Sequence, residues 1–111
     1  MSWRTGRQGG GYQVWTIFNC QWLMADCHVI KYPEGVELVM HTDPVSTGYR
    51  HHRINFVIWK PKIGGRFICK DAWRWGTRLF YFRPDIMPHR VSKMISGSRW
   101  VFSLGWCTHD S

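Results

Sequence analysis

Pro88-His89-Arg90-Val91-Ser92-Lys93-Met94-Ile95-Ser96-Gly97-Ser98-Arg99-Trp100-Val101-Phe102-Ser103-Leu104-Gly105-Trp106 is the stretch on which the fold class turns. Two runs rich in β-branched and aromatic residues, His89 to Ile95 and Arg99 to Trp106, flank a Ser-Gly-Ser turn, and helical spacing is weak in both. If that turn is a three-residue hairpin loop, residues of equal parity share a face, so His89 and Arg99 both point inward. Their separation along the sheet is then about six residues, at most ~20 Å.

The same punctuation extends back through the chain. Tyr12 to Phe18, Cys27 to Tyr32, Val36 to His41, His51 to Trp59, Arg66 to Lys70 and Arg78 to Phe82 are short β-type runs. Between them stand turn signals at Pro33-Glu34-Gly35, Pro44 to Gly48, Pro61 with Gly64-Gly65, Trp73 to Gly76, and Pro84 with Pro88. Asn19 to Asp26 leaves two options, a short helix capped by Asn19 or a loop carrying a buried Trp22 and Leu23. About eight strands with little helix predict an all-β protein. A double-sheet jelly roll of the cupin type is the natural closure, because it limits exposed strand edges.

Length and composition bound the rest. The 111 residues suit one domain with one core. Residues 1–11 are polar and Gly-rich and read as a flexible lead-in, leaving 12–111 as a single jelly-roll domain. Eight Trp, six Phe and four Tyr within 44% hydrophobic residues exclude disorder. No apolar run approaches the roughly 18 residues that span a bilayer, so no membrane partner is expected. Cys20, Cys27, Cys69 and Cys107 are scattered, without a Cys-x-x-Cys pair, and no apolar export segment follows the basic start; reduced thiols and a cytoplasmic location are expected. The net charge of +8 favours anionic partners, nucleic acid among them, although charge alone specifies no chemistry.

Chemistry concentrates at His41, Asp43 and His89. A His-x-Asp pair with a distant His is the two-histidine, one-carboxylate set that holds ferrous iron on one octahedral face, leaving positions open for substrate. In an extended segment alternate side chains share a face, so His41 and Asp43 converge while Thr42 points away. The pair alone is weak evidence, since roughly 0.3 His-x-Asp pairs arise by chance in such a composition. Singly, His41 and Asp43 read as a strand end and turn start, and His89 as a polar strand residue. The coincidence with Arg99 shifts the balance, because a guanidinium fork pairs bidentately with a carboxylate and tolerates burial only with such a partner. Histidine, iron, a five-carbon dicarboxylate and an extended arginine, laid end to end, cover the expected span. Cys107 and His109 lack a second ligand pair at suitable spacing.

From Tyr32 to Trp106, about two thirds of the chain, the sequence resembles the iron(II)- and 2-oxoglutarate-dependent oxygenase superfamily, which has a double-stranded β-helix fold. Tyr32-Pro33-Glu34-Gly35 before His41-Thr42-Asp43, Gly64-Gly65-Arg66-Phe67, and Pro88-His89-Arg90-Val91 carry the likeness. The tract Arg53-Ile54-Asn55-Phe56-Val57-Ile58-Trp59-Lys60-Pro61-Lys62 and the Trp75-Gly76 and Phe80-Tyr81-Phe82 run are similar to the aspartyl/asparaginyl β-hydroxylase and prolyl hydroxylase branch. That branch carries an Arg-x-His pair against 2-oxoglutarate; Arg53 matches the arginine and Asn55 replaces the histidine. The resemblance implies a dioxygenase that hydroxylates an amino-acid side chain, peptidyl or free. Dioxygen would decarboxylate 2-oxoglutarate to succinate, with ascorbate as an optional reductant. His41, Asp43 and His89 would be metal ligands, Arg99 the clamp on the distal carboxylate, and Arg53 and Asn55 co-substrate contacts. Little chain precedes residue 27 to supply the helices that usually buttress this fold, which leaves room for a homo-oligomer.

Three other readings compete. The same chemistry serves nucleobase oxidation, the basic charge suits a non-catalytic β-barrel binding single-stranded nucleic acid, and a cupin-like protein could hold zinc. Trp59, Trp73, Trp75, Trp100 and Trp106 could stack bases or line a mouth, but aromatic strand residues more often pack in the core or across strands. His51-His52 reads more simply as a solvated strand start than as pocket lining.

Overall fold

The computed structural model describes residues 4–5, 11–22, 24–45 and 47–109. Among them there is no helix, and twelve strands run in chain order. They are β1 Arg4–Thr5, β2 Gln13–Cys20, β3 Ala25–Tyr32, β4 Leu38–His41, β5 Tyr49–Trp59, β6 Ile63–Gly64, β7 Phe67–Ile68, β8 Trp73–Trp75, β9 Leu79–Phe82, β10 His89–Val91, β11 Met94–Ser96 and β12 Arg99–His109. The expected eight become twelve because β1, β6 and β8 are additional and the run His89 to Ile95 divides into β10 and β11. Of the amino-terminal lead-in, Arg4 and Thr5 pair with Val14 and Gln13, while residues 1–3 and 6–10 lie outside the described residues.

Seven strands form one antiparallel sheet in the order β1-β2-β3-β12-β5-β9-β8. Facing it are a three-stranded sheet, β4-β10-β7, and the two-stranded β11-β6. Apolar side chains from both sides make the core: Val57, Phe80, Phe82 and Val101 from the large sheet, and Leu38, Phe67, Val91 and Met94 from the small ones. The expected all-β, cupin-like jelly roll is the architecture observed. Burial of these faces is the main stabilising term.

β12 sits at the centre of the large sheet, between β3 and β5. Its pleat sends Arg99, Val101, Ser103 and Gly105 to the buried side. Opposite them lie Tyr32, Ile30, His28 and Asp26 of β3, and Val57, Asn55 and Arg53 of β5 against Val101, Ser103 and Gly105. The inner face is therefore apolar near its middle and polar towards the carboxyl end of β12.

The Ser96-Gly97-Ser98 turn does not make the expected hairpin. β11 pairs with β6, whereas β12 pairs with β3 and β5. The turn carries the chain from one layer to the other, because Met94 enters the core and holds β11 on the small-sheet side. At Asn19 to Asp26 the chain makes a turn closed by Met24 N–H to the Gln21 carbonyl, 3.2 Å. Neither earlier option holds as stated: there is no helix, Trp22 is 96% exposed, and Leu23 lies outside the described residues.

The Gly64-Gly65 bend is fixed sterically. Gly64 has φ +81°, and a Cβ there would stand 2.1 Å from the Lys93 carbonyl oxygen. Neither the left-handed backbone nor that backbone contact can yield cheaply. Gly64→Ala is expected to cost about 3 kcal/mol or more in urea unfolding.

Candidate metal centre

His41 and His89 are direct cross-strand partners in the β4–β10 pair. Antiparallel partners share a face, so the two imidazoles meet with ring centroids 4.3 Å apart. His89 is buried against Phe82 and Phe67, while His41 is half-buried. β4 ends at His41, and Asp43 lies just beyond it. Its backbone N–H donates to the Pro84 carbonyl at 2.7 Å. That tie to the segment between β9 and β10, and not strand alternation by itself, returns the carboxylate to the histidines.

The donor atoms of His41, Asp43 and His89 lie within 4.8 Å of one another, close enough to converge on one ion. Their tautomers follow from their neighbours. His41 Nδ1 is 2.7 Å from the Val39 carbonyl oxygen and His89 Nδ1 is 2.9 Å from that of Met87. A carbonyl only accepts, so each ring donates from Nδ1 and offers its Nε2 lone pair to the pocket. Such a backbone tie is the usual outer support of a metal-bound imidazole.

Each Nε2 stands 3.5 Å from a different Asp43 oxygen. Two lone pairs facing a carboxylate call for positive charge between them, either a second proton on a ring or a shared cation. Burial alone would raise the Asp43 pKa, but when the rings carry their second proton the His89 hydrogen bond and the charges of His41 and His89 outweigh it and hold the carboxyl below its usual range. The donor set fits a ferrous ion, since two imidazoles and one carboxylate leave open positions.

A pocket of about 260 Å³ runs from this triad between the sheets, and Arg99, Arg53 and Asn55 all line it. Arg99 is 4% exposed. Its Nη1 donates to the Gly65 carbonyl at 2.9 Å, but its Nε is buried without a hydrogen-bond partner. Among the described residues it makes no ion pair with an acid. Burial works against its charge, and only the Tyr32 phenol beside it opposes that effect. A guanidinium buried in this way is strongly destabilising without an anion, and an anion in the pocket would offset that cost. Arg99 and the triad come together because their sheets face each other, not because they share a face.

Arg53 and Asn55 are already engaged. Arg53 donates to Asp26 Oδ1 at 2.6 Å and to Ser103 Oγ at 2.7 Å, and Ser103 donates to Asn55 Oδ1 at 2.6 Å. Gly105 makes this possible: a Cβ there would lie 2.2 Å from Arg53 Nη2. His28 adds a contact to Asp26 at 3.1 Å. The pocket therefore has two unlike ends, Arg99 with Tyr32 at one and the Asp26–Arg53 pair with His28 and His51 at the other. His51 is pocket lining after all, while His52, on the other face, stacks on Trp106 and Tyr81.

Asp26 and His28 carry no site role in the sequence reading, and Tyr32 enters it only at the head of the Tyr32-Pro33-Glu34-Gly35 tract. Their signal was present: Asp26, His28, Arg53, Asn55 and Ser103 are polar residues at alternate strand positions, which is the pattern of a polar inner face. Trp59, Trp73 and Trp75 are exposed, so they are not core residues, the first of the two packing roles expected of them. The four cysteines are free.

Burial would raise the Asp26 pKa, yet the His28 hydrogen bond and the Arg53 charge outweigh it and hold the carboxyl well below the ordinary range. A depressed folded pKa stabilises above the unfolded value and ceases to do so as the pH falls through the folded one. Asp26→Asn is expected to cost on the order of 3 kcal/mol at neutral pH, because Arg53 is left without its partner. Urea unfolding at a series of pH values should show the gap from wild type closing in acid.

No protein-family model and no curated protein matches the chain. Solved structures do. A Pseudomonas putida prolyl-4-hydroxylase is similar at TM-score 0.69 and 18% identity, over 98% of this chain and 78% of that one. A cupin-2 domain from Rhodospirillum rubrum is similar at TM-score 0.63 and 8% identity, over 99% and 70%. A cupin 2 conserved barrel domain protein from Rhodopseudomonas palustris is similar at TM-score 0.63 and 9% identity, over 97% and 70%. Identities this low establish a fold and nothing finer: the chain is an all-β barrel of the cupin, jelly-roll kind.

Proposed function

We propose that this protein is an iron(II)- and 2-oxoglutarate-dependent dioxygenase that hydroxylates an amino-acid side chain, peptidyl or free. The observation that carries the reading is the juxtaposition, in one pocket, of the His41–Asp43–His89 triad and the buried Arg99, which among the described residues makes no ion pair with an acid. The prolyl-4-hydroxylase likeness supports it, and the cupin likenesses are compatible with other metal chemistry on the same barrel.

On this reading His41, Asp43 and His89 hold ferrous iron, which with 2-oxoglutarate and dioxygen supplies the oxidising power for hydroxylation. The protein's own groups bind and orient. Arg99 accepts the distal carboxylate of 2-oxoglutarate, and the Tyr32 phenol stands beside it. The Val39 and Met87 carbonyls fix the two imidazoles, so that both lone pairs are presented before any metal arrives. Phe67, Phe82 and Val101 supply apolar walls to the pocket that holds the triad and Arg99, which disfavours water there. Arg53 and Asn55 act on the reactants from the far end of the pocket, their orientation set by Asp26 and Ser103.

Anaerobic addition of ferrous iron and 2-oxoglutarate is expected to produce a visible charge-transfer band, followed by one succinate per 2-oxoglutarate consumed once oxygen is admitted. Retention of zinc, with no band and no succinate, would instead identify a cupin-like zinc protein.

A further inference from the structure

A second cavity, of about 550 Å³, shares Arg99 and Phe67 with the metal pocket but none of His41, Asp43 and His89. Its rim carries Lys60, Lys62, Arg66 and Arg74, and no acidic side chain lines it. Among the described residues these four cations make no ion pair with an acid, and Lys62, Arg66 and Arg74 are exposed. Like charges gathered around one concavity repel each other and focus a positive potential into it. That arrangement favours an anion with several charges over a single phosphate or carboxylate.

The neighbouring side chains narrow the class. Arg74 is the middle residue of the edge strand β8, where it lies over the Phe80 ring. Trp73 and Trp75 flank it and alternate to the opposite face, with their indoles in contact at 5.8 Å between centroids. They are 57% and 70% exposed, and Trp59, next to Lys60, is 64% exposed. The indoles stand in water on the outer face of an edge strand whose other face carries Arg74 at the cavity, so a strand crossing that edge meets the two parts of a single-strand site: cations that follow the phosphates and aromatic faces on which bases stack. An acidic peptide would use the cations and leave the indoles idle. A duplex would use the cations, but its bases are already stacked.

We propose that the Lys60–Lys62–Arg66–Arg74 cavity and the Trp73–Trp75 edge form a binding surface for single-stranded nucleic acid that uses none of the three triad residues. It depends neither on iron nor on turnover of 2-oxoglutarate.

Fluorescence anisotropy of labelled dT15 and rU15 with the full chain tests this directly. Lys62→Glu combined with Arg66→Glu is expected to weaken binding at least tenfold and to flatten the slope of log affinity against log salt by about 1.4, two phosphate contacts at ~0.7 each. Trp73→Ala combined with Trp75→Ala is expected to weaken binding about tenfold while leaving the salt slope unchanged. Ultraviolet cross-linking of wild-type protein to dT15 should mark the peptide containing Trp73 and Trp75, which keeps the test independent of how any variant folds. The proposal is overturned if the tryptophan pair can be removed without loss of affinity. Equal binding of a duplex of the same length, displacement by polyglutamate at matched charge, or cross-links confined elsewhere would overturn it too.

Discussion

His89→Ala is expected to abolish 2-oxoglutarate turnover, with succinate formation falling by more than roughly 100-fold. The outer partners of a metal-bound histidine alone are worth about 10–100-fold, and this change removes the ligand itself. The ferrous charge-transfer band should disappear with the activity. Stability will also fall, because the imidazole fills the space between His41, Phe67 and Phe82; a cavity there costs about 2–3 kcal/mol. His41→Ala separates the two effects, since His41 is less buried and its loss should remove the same ligand at a smaller structural cost. If both variants fold and both still bind ferrous iron and produce succinate as wild type does, the assignment of the triad is wrong.

Arg99→Met is expected to move function and stability in opposite directions. With the guanidinium gone, the concentration of 2-oxoglutarate needed for half-maximal turnover should rise about 100-fold. A charge-assisted, bidentate contact inside a dry pocket is worth several kcal/mol once its partner is bound. The unliganded protein should become more stable by about 1–3 kcal/mol, because a buried cation without a counter-ion is replaced by an apolar chain of similar length. Against that gain stands the Gly65 carbonyl, which loses the Arg99 Nη1 donor at a cost of about 1 kcal/mol. Urea unfolding with and without 2-oxoglutarate measures both sides: the ligand should stabilise wild type markedly and the variant hardly at all. A variant that loses stability without ligand yet keeps its 2-oxoglutarate affinity would make Arg99 a purely structural residue.

The strands that matter most were legible because their patterns are local. β12 advertises itself by alternating Arg99, Val101, Ser103 and Gly105 with Trp100, Phe102, Leu104 and Trp106, and β5 and β9 do so by their β-branched and aromatic content. The triad was legible for a different reason, the coincidence of a His-x-Asp pair, a distant His and Arg99, no one of which would have sufficed. Less legible were the places where a short turn can serve two topologies. Ser96-Gly97-Ser98 suits a hairpin as well as a crossing between layers, and only the burial of Met94 on the small-sheet side separates the two.

The second end of the pocket illustrates the same limit. Asp26, His28, Arg53 and Ser103 come from three strands far apart in sequence, and nothing local says that β12 will lie between β3 and β5. Once it does, register brings Asp26 and Arg53 to either side of Gly105, the one position without a side chain to keep them apart.

Residue type and period therefore determined by themselves that this protein is all-β, that it carries two imidazoles and a carboxylate of the kind that can hold a metal ion, and that it keeps a guanidinium among apolar strand residues. Those properties depend on side-chain chemistry and on the two-residue pleat, which the chain carries wherever it folds. Tertiary structure alone decided that Arg99 faces the triad from the opposite sheet, that Asp43 is held by the Pro84 carbonyl, and that Arg53 is spoken for by Asp26. These depend on which strands become neighbours, a choice made by the burial of the whole apolar face at once and not by any single segment.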